Sequence, residues 1–285
     1  MEKNYTATSS KIKAGIRIAL IMARSYISRR LCRDVNYLPC SICGAPIIQT
    51  ADIFSHREEI SCIGCGSTPR FRALMSAFMH SRLGLNNEPT LISTPRNRSL
   101  VGLGMSDAGL YASILQFKFC YTNTFYHQKP FFDVSNPGKS HFEKYDFVIS
   151  SDVFEHVASP PLEIFAAVRK VLKTGGVLIF TVPYGDNMET IEHYPDLHDY
   201  RIEGSGVDRV LVNTTLSGME QKFSNLVFHG GDGDTLELRI FSLRNILFLL
   251  ETAGFHSIVV HKDGLNYPRP SDWKSYGCPI TAIAK

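Results

Sequence analysis

The sequence predicts an α/β protein built on a mostly parallel sheet, with a small cysteine-bearing module in front of it. Three observations carry that prediction. Residues 145–183 read as strand, helix, strand; a Gly-containing apolar run opens a further strand-turn-helix unit near residue 99; and four cysteines are paired as Cys40-x2-Cys43 and Cys62-x2-Cys65 across an 18-residue gap.

The 145–183 unit is the clearest of the three. The run Phe147-Val148-Ile149-Ser150 is apolar and β-prone, and Val177 to Val182, entered through Gly175-Gly176 and closed by Pro183, is a second such run. Between them Ile164, Phe165, Val168, Val171 and Leu172 recur at helical spacing, with Pro160-Pro161 ahead and Gly175 behind as start and stop signals. Two apolar strands joined through a helix make a parallel crossover, and such sheets bind ligands beyond their strand C-termini. Ser150 and Ser151, followed by Glu155-His156, are expected at that edge.

The remaining elements follow in chain order. Residues 1–36 form a basic amphipathic segment in which Ile12, Ile16, Ala19, Leu20, Ala23 and Ile27 share a helical face. Residues 37–70 form the cysteine module, with short strands at Ile47-Ile48 and Ile53-Phe54, and 71–98 a linker helix. The main domain is 99–285. Its first strand is Leu100–Gly104, entering a turn at Gly102-x-Gly104-x-Ser106. A helix over 107–117 follows, then a strand over Phe117–Asn123 and a short third strand at Phe131-Phe132-Asp133. A helix from Ser242 to Ala253 with a serine N-cap and Gly254 as its stop precedes strands at Ser257–His261 and Ile280–Ala284. The 184–241 excursion is too long for a plain connection and is expected to act as a lid or substrate-binding element, with a hairpin turn at His229–Gly233.

At 285 residues and 44% hydrophobic content, the chain holds one α/β domain plus a small module, and no apolar stretch approaches a membrane span. The net charge of +3 hides an asymmetry. Residues 1–75 carry 11 Lys+Arg against 5 Asp+Glu, a net of +6, and the remainder is net −3. The Cys-x2-Cys pairs fall in the zinc pattern, so Cys40, Cys43, Cys62 and Cys65 are expected to hold a structural Zn2+. An odd cysteine total suits a reducing cytoplasm better than a disulfide framework. A membrane-surface contact through residues 11–31, a docking helix and a frayed terminus all remain open for the N-terminal segment.

The motif Asp146-Phe147-Val148, then Val153, Glu155, His156 and Val157, then Arg169, Leu172, Lys173, Gly175 and Gly176 resembles the second half of the class I S-adenosylmethionine-dependent methyltransferases, type 11-like, here with an N-terminal four-cysteine zinc ribbon. The resemblance implies a Rossmann-like, seven-stranded, mostly parallel sheet. It also implies an S-adenosylmethionine site formed by Gly102, Gly104, Ser106, Asn123, Asp133, Ser150 and Ser151, the cofactor resting in a crevice between Gly104 and Ser150. Two positions depart from the family pattern: Ser106 replaces the third glycine, and Asn123 stands where an acid accepts the ribose hydroxyls.

Methyl transfer depends on alignment, and a hydroxyl acceptor also wants a general base. His156 is the first candidate, with His193 and His198 as alternatives; with Glu155 these could instead hold a divalent metal. The end of the 145–151 strand reads Ser151-Asp152-Val153-Phe154 and lacks the D/N-P-P-Y motif that holds exocyclic base amines. The expected function is therefore O-methylation of a small-molecule or glycan-type acceptor. The alternatives are an RNA methyltransferase using the basic ribbon, in which Arg70 and Arg72 touch phosphate, and a non-catalytic scaffold.

Overall fold

A computed structural model of the chain describes residues 2–32, 38–47, 57–83, 85, 88–228, 235–262 and 277–285, with side chains from residue 12 onward, Val207 excepted. Its central sheet has six strands. These are β1 (Val101–Met105), β2 (Cys120–Thr124), β3 (Tyr145–Ser151), β4 (Leu172–Thr181), β11 (Phe255–Val260) and β12 (Ile280–Ala284), in the spatial order β11-β12-β4-β3-β1-β2. The first four strands run parallel, and β12 is antiparallel to both β4 and β11. This is the mostly parallel, Rossmann-like α/β fold expected, with one strand fewer.

The missing strand is the one expected at Phe131–Asp133. Phe131 makes only an isolated parallel bridge with Phe125. Pro130 precedes the run, and Asp133 accepts from both the backbone N–H and the hydroxyl of Ser135. That turn leads the chain off the sheet edge before a ladder can form.

Period-two alternation explains the layers. Phe147 and Ile149 of β3 and Val177 and Ile179 of β4 point to one face, while Val148, Leu178 and Phe180 point to the other. Helices α4 (Pro161–Val171) and α5 (Leu243–Thr252) cover the second face. On the first lie α1 (Glu2–Leu31), α2 (Pro69–Met79), α3 (Gly109–Lys118) and the cysteine module. Phe147 is the hub there, with Phe78, Phe119 and Tyr121 around its ring.

Ser242 caps α5 with its side chain and Gly254 follows it at φ +92°, as expected, and Thr68 caps α2. Gly175, expected to stop the crossover helix, lies inside β4 with Leu172, and α4 ends at Val171. Helix α1 does not pack through the apolar face noted in the sequence. Ile18, Ile21, Ser25 and Ser28 face the protein, and Ile12, Ile16, Leu20 and Ile27 are exposed. The small Ser25 side chain admits the close approach of Gly64, a fit that a stripe of isoleucines would prevent.

The 184–241 excursion carries a second, antiparallel sheet, β7 (Asp199–Glu203), β8 (Val210–Thr214) and β9 (Glu220–Phe223). A third, small sheet joins β5 (Tyr184–Gly185), β10 (Arg239–Ser242) and β6 (Ile191–Glu192). Phe228 and Leu236 form an antiparallel bridge across the expected hairpin. The His229–Gly233 turn itself, like Ile48 and Ile53-Phe54, lies outside the described residues.

Candidate functional site

The four-cysteine module is built by two similar turns. Gly44 and Gly66 follow the second cysteine of each pair at φ +76° and +71°, and their N–H groups donate to the carbonyls of Cys40 and Cys62. Backbone N–H groups of Ile42 and Cys65 also point at the Sγ atoms of Cys40 and Cys62. The sulfurs of Cys40 and Cys65, Cys43 and Cys62, and Cys62 and Cys65 stand 3.8, 3.5 and 3.5 Å apart, and all four lie within 4.8 Å of one another. A tetrahedral ion with about 2.3 Å bonds to sulfur needs edges of about 3.8 Å, so the donor set fits Zn2+. Among the described residues this is the one cluster of metal-ligating groups; Glu155, His193 and His198 form none. Arg72, fully buried, braces the second turn by donating to the Ser67 carbonyl and the Ser61 hydroxyl, so it is not exposed for phosphate.

At the C-terminal edge of the sheet lies a cleft of about 1590 Å³. Met105, Ser106 and Ala108 form its wall after β1, Thr124 to Gln128 after β2, and Ser151 to Val153 after β3. Phe132, Asp133 and Ser135 also line it. The excursion contributes Tyr200, Ile202 and the Leu236–Leu238 segment, and the cysteine module contributes Arg57, Glu58 and Arg70. A single small ligand fills roughly 300–1,000 Å³. The cleft is large enough for a cofactor and an acceptor together.

Of the seven residues expected to hold the cofactor, three line this cleft and four do not. Ser106, Asp133 and Ser151 line it; Gly102, Gly104, Asn123 and Ser150 do not. Gly102 and Gly104 lie inside β1, paired on both sides, and the turn is Ser106–Ala108. A methyl group on Gly102 would strike the Phe147 ring, and one on Gly104 would strike the Tyr121 hydroxyl and the Asp107 carboxylate. Gly104 and Ser150 are not on the wall of the open cleft, which starts one residue further out, at Met105-Ser106 and Ser151. Asn123 serves as a clamp on the turn, accepting from the Asp107 N–H and donating to the Asp107 carbonyl at 2.9 and 2.8 Å.

Two turn residues sit in the left-handed region that favours glycine. Ser106 has φ 56° and Asp152 has φ 51°. Asp152 is held there by Thr181 Oγ1 donating to Oδ1 at 2.7 Å, by Arg57 Nη2 at 2.5 Å and by Arg70 Nε at 3.4 Å from Oδ2. Arg70 also grips Glu58 and donates to the Ser151 hydroxyl. It binds carboxylates of its own chain, the linker role, in place of phosphate.

Asp107, just under Ser106, accepts from the hydroxyls of Tyr111 and Tyr121. Burial pushes its pKa up to about 7, with both hydroxyls and the Arg70 charge pulling the other way. Sequence reasoning missed this group, because Asp107 looked like an ordinary helix-start acid.

His156 lines the cleft, while His193 and His198 do not. His193 Nε2 lies 3.0 Å from Glu237 Oε1, and the His198 backbone N–H donates to Asn213. His156 Nδ1 is 2.8 Å from the Leu236 carbonyl, which can only accept. The neutral ring is thus protonated at Nδ1 and presents Nε2 as its basic nitrogen. Glu155, fully buried 3.7 Å from Nε2, has its pKa raised well above the usual carboxylate range by burial and by the Asp152 charge.

The methyltransferase domain family matches residues 48–222, more than half of the chain. No curated protein matches. Similar solved structures include the 1,6-didemethyltoxoflavin-N1-methyltransferase of Burkholderia thailandensis, 14% identical with a TM-score of 0.41 over 75% of this chain and 78% of that one. A sugar N-methyltransferase from Streptoalloteichus is 13% identical, TM-score 0.39, over 65% and 80% of the two chains. An S-adenosylmethionine-dependent methyltransferase from Clostridium acetobutylicum is 16% identical, TM-score 0.39, over 74% and 89%. Likenesses this distant say nothing of an acceptor.

Proposed function

The chain belongs to the methyltransferase domain family, and on that premise we propose that it is an S-adenosylmethionine-dependent enzyme that methylates a hydroxyl of a small-molecule or glycan-type acceptor. The observation that carries the reading is His156: a ring on the cleft wall whose tautomer is fixed so that Nε2 is the basic nitrogen.

The donor set fits the cofactor. Ser106 and the first turn of α3, whose N-cap Ala108 has no side-chain cap, suit a carboxylate. Thr124, Asp133 and Ser135 offer hydroxyl and carboxylate partners for a ribose and a base, and Phe125 and Phe132 line the same cleft. Bound there, S-adenosylmethionine supplies an electrophilic methyl on a sulfonium. His156 Nε2 takes the acceptor's hydroxyl proton as the oxygen becomes nucleophilic. Tyr126 and Gln128 on one wall and Tyr200 on the other give the polar and aromatic contacts a sugar ring uses.

Calorimetric titration of the zinc-loaded protein with S-adenosylmethionine and with S-adenosylhomocysteine tests the premise. Saturable one-to-one heat supports it. A folded, zinc-loaded protein that takes neither nucleotide would be a scaffold. For the reaction, transfer of labelled methyl to hydroxylated acceptors that is retained with amines blocked would support oxygen as the target, and label recovered only on nitrogen would overturn it.

A further inference from the structure

Among the described residues, nothing covers the apolar stripe of α1. Ile12, Ile16, Leu20 and Ile27 are each more than half exposed, while the opposite side of the helix, Ile18, Ile21, Ser25 and Ser28, is buried on the cysteine module and α3. The positions 12, 16, 20, 23 and 27 follow one another at steps of four and three, so they form a single continuous strip along about four turns. A surface helix that keeps its second apolar face in water has a cost of roughly 25 cal/mol per Å² and calls for a covering partner.

The charges choose the partner. The helix holds seven Lys and Arg, and no Asp or Glu occurs from Lys3 to Leu31. Lys13 and Arg24 border the strip on one side. On the other Arg30 donates to the Tyr26 hydroxyl at 2.7 Å, an amphipathic pair of the kind that sits at the level of lipid headgroups. Arg17 and Arg29 turn toward the protein, against Gly109 and the Ser25 carbonyl. A second copy of the helix would bring two cationic borders together with no carboxylate to answer them. A nucleic acid would leave the isoleucines unused. We infer that α1 is an interfacial helix that docks the protein on an anionic lipid surface, the isoleucine strip entering the acyl boundary and the basic border meeting phosphate headgroups. No described helix is long and apolar enough to cross a membrane, which agrees with a helix lying in the interface plane.

Co-sedimentation of the full-length, zinc-loaded protein with vesicles tests this, using phosphatidylcholine alone and phosphatidylcholine mixed with phosphatidylglycerol in equal parts. The protein should pellet with the mixed vesicles, should stay in the supernatant with phosphatidylcholine alone, and should be released by raised salt. The combined change Ile16→Ser, Leu20→Ser and Ile27→Ser touches only exposed positions. It should cut the bound fraction about tenfold while leaving the melting temperature and S-adenosylmethionine binding unchanged. Lys13→Gln with Arg24→Gln should weaken mixed-vesicle binding and remove its salt dependence. Absence of pelleting with mixed vesicles, equal pelleting of the triple-serine protein, or a solution dimer that the triple substitution converts to a monomer would each overturn the inference.

Discussion

Arg57 Nη2 donates to Asp152 Oδ2 at 2.5 Å and thereby ties the cysteine module to the end of β3, 95 residues away. Both side chains are nearly closed to solvent, 3% and 13% exposed. The contact fixes the one residue after β3 that adopts φ 51° on the cleft wall. Removing Arg57 takes the nearest cation from a carboxylate that keeps the more distant Arg70 and the Thr181 hydroxyl, a loss of about 1–3 kcal/mol. Arg57→Ala should therefore destabilise the protein by that order in denaturant titration. The double change Arg57→Met with Asp152→Asn should cost clearly less than the sum of the singles. Additive losses would show that the pair is not coupled.

Because Arg57, Glu58 and Arg70 are held by the cysteine module yet line the cleft, metal removal should reach the cleft as well. Stripping the metal with a chelator, or Cys62→Ser, should lower the melting temperature by about 10 °C or more. It should also weaken S-adenosylmethionine binding, and added Zn2+ should restore both in the chelated wild-type protein. Unchanged nucleotide affinity in a metal-free, folded protein would uncouple the module from the site.

How much of this was legible in the sequence varies with the physics involved. The 145–183 unit was readable because buried parallel strands and an amphipathic crossover leave local, periodic patterns, and the four-cysteine cluster because the spacing within each cysteine pair is itself local. The role of Gly102 and Gly104 was not. A glycine that lets a backbone approach a ligand and a glycine that makes room for Phe147 or Tyr121 look identical in a string. Only the register of β1 against β2 and β3 separates them. Asn123 shows the same limit, since its partner is the backbone of Asp107, 16 residues earlier. Which face of α1 packs on the protein was not legible for a related reason: two faces compete, and the close approach of Ser25 to Gly64 is not visible in a hydrophobic pattern.

Gly104→Ala separates the two roles of that glycine. The new methyl group would overlap the Tyr121 hydroxyl, so overpacking of about 1–3 kcal/mol or more is expected. Adding Tyr121→Phe should recover part of it by deleting the overlapping atom. A change in S-adenosylmethionine affinity without loss of stability would instead place Gly104 against the cofactor.

His156→Gln should lower kcat by about 10²–10⁴-fold at the pH optimum while S-adenosylmethionine binding stays within about twofold of wild type. The glutamine amide can still donate to the Leu236 carbonyl, so the local packing is kept and only the basic nitrogen is lost. The wild-type pH-rate profile should show an ascending limb that disappears in the variant. Full activity for His156→Gln would move the base elsewhere, or remove the need for one.

Asp107 provides a pH test that needs no acceptor. Its folded pKa, about 7, lies above its ordinary value of 3.8, so folding favours the protonated form. Its stabilising contribution is complete below about pH 4 and is lost as pH climbs through about 7. A rise of this size corresponds to at most about 4 kcal/mol between those limits. Asp107→Asn keeps an oxygen acceptor for one tyrosine hydroxyl and cannot ionise. The stability of wild type relative to that variant should therefore fall steadily from pH 4 to pH 7.5 and level off above it, as followed by denaturant midpoints at matched ionic strength. Curves that run parallel across this window would mean that Asp107 is ionised throughout, held so by Tyr111, Tyr121 and Arg70.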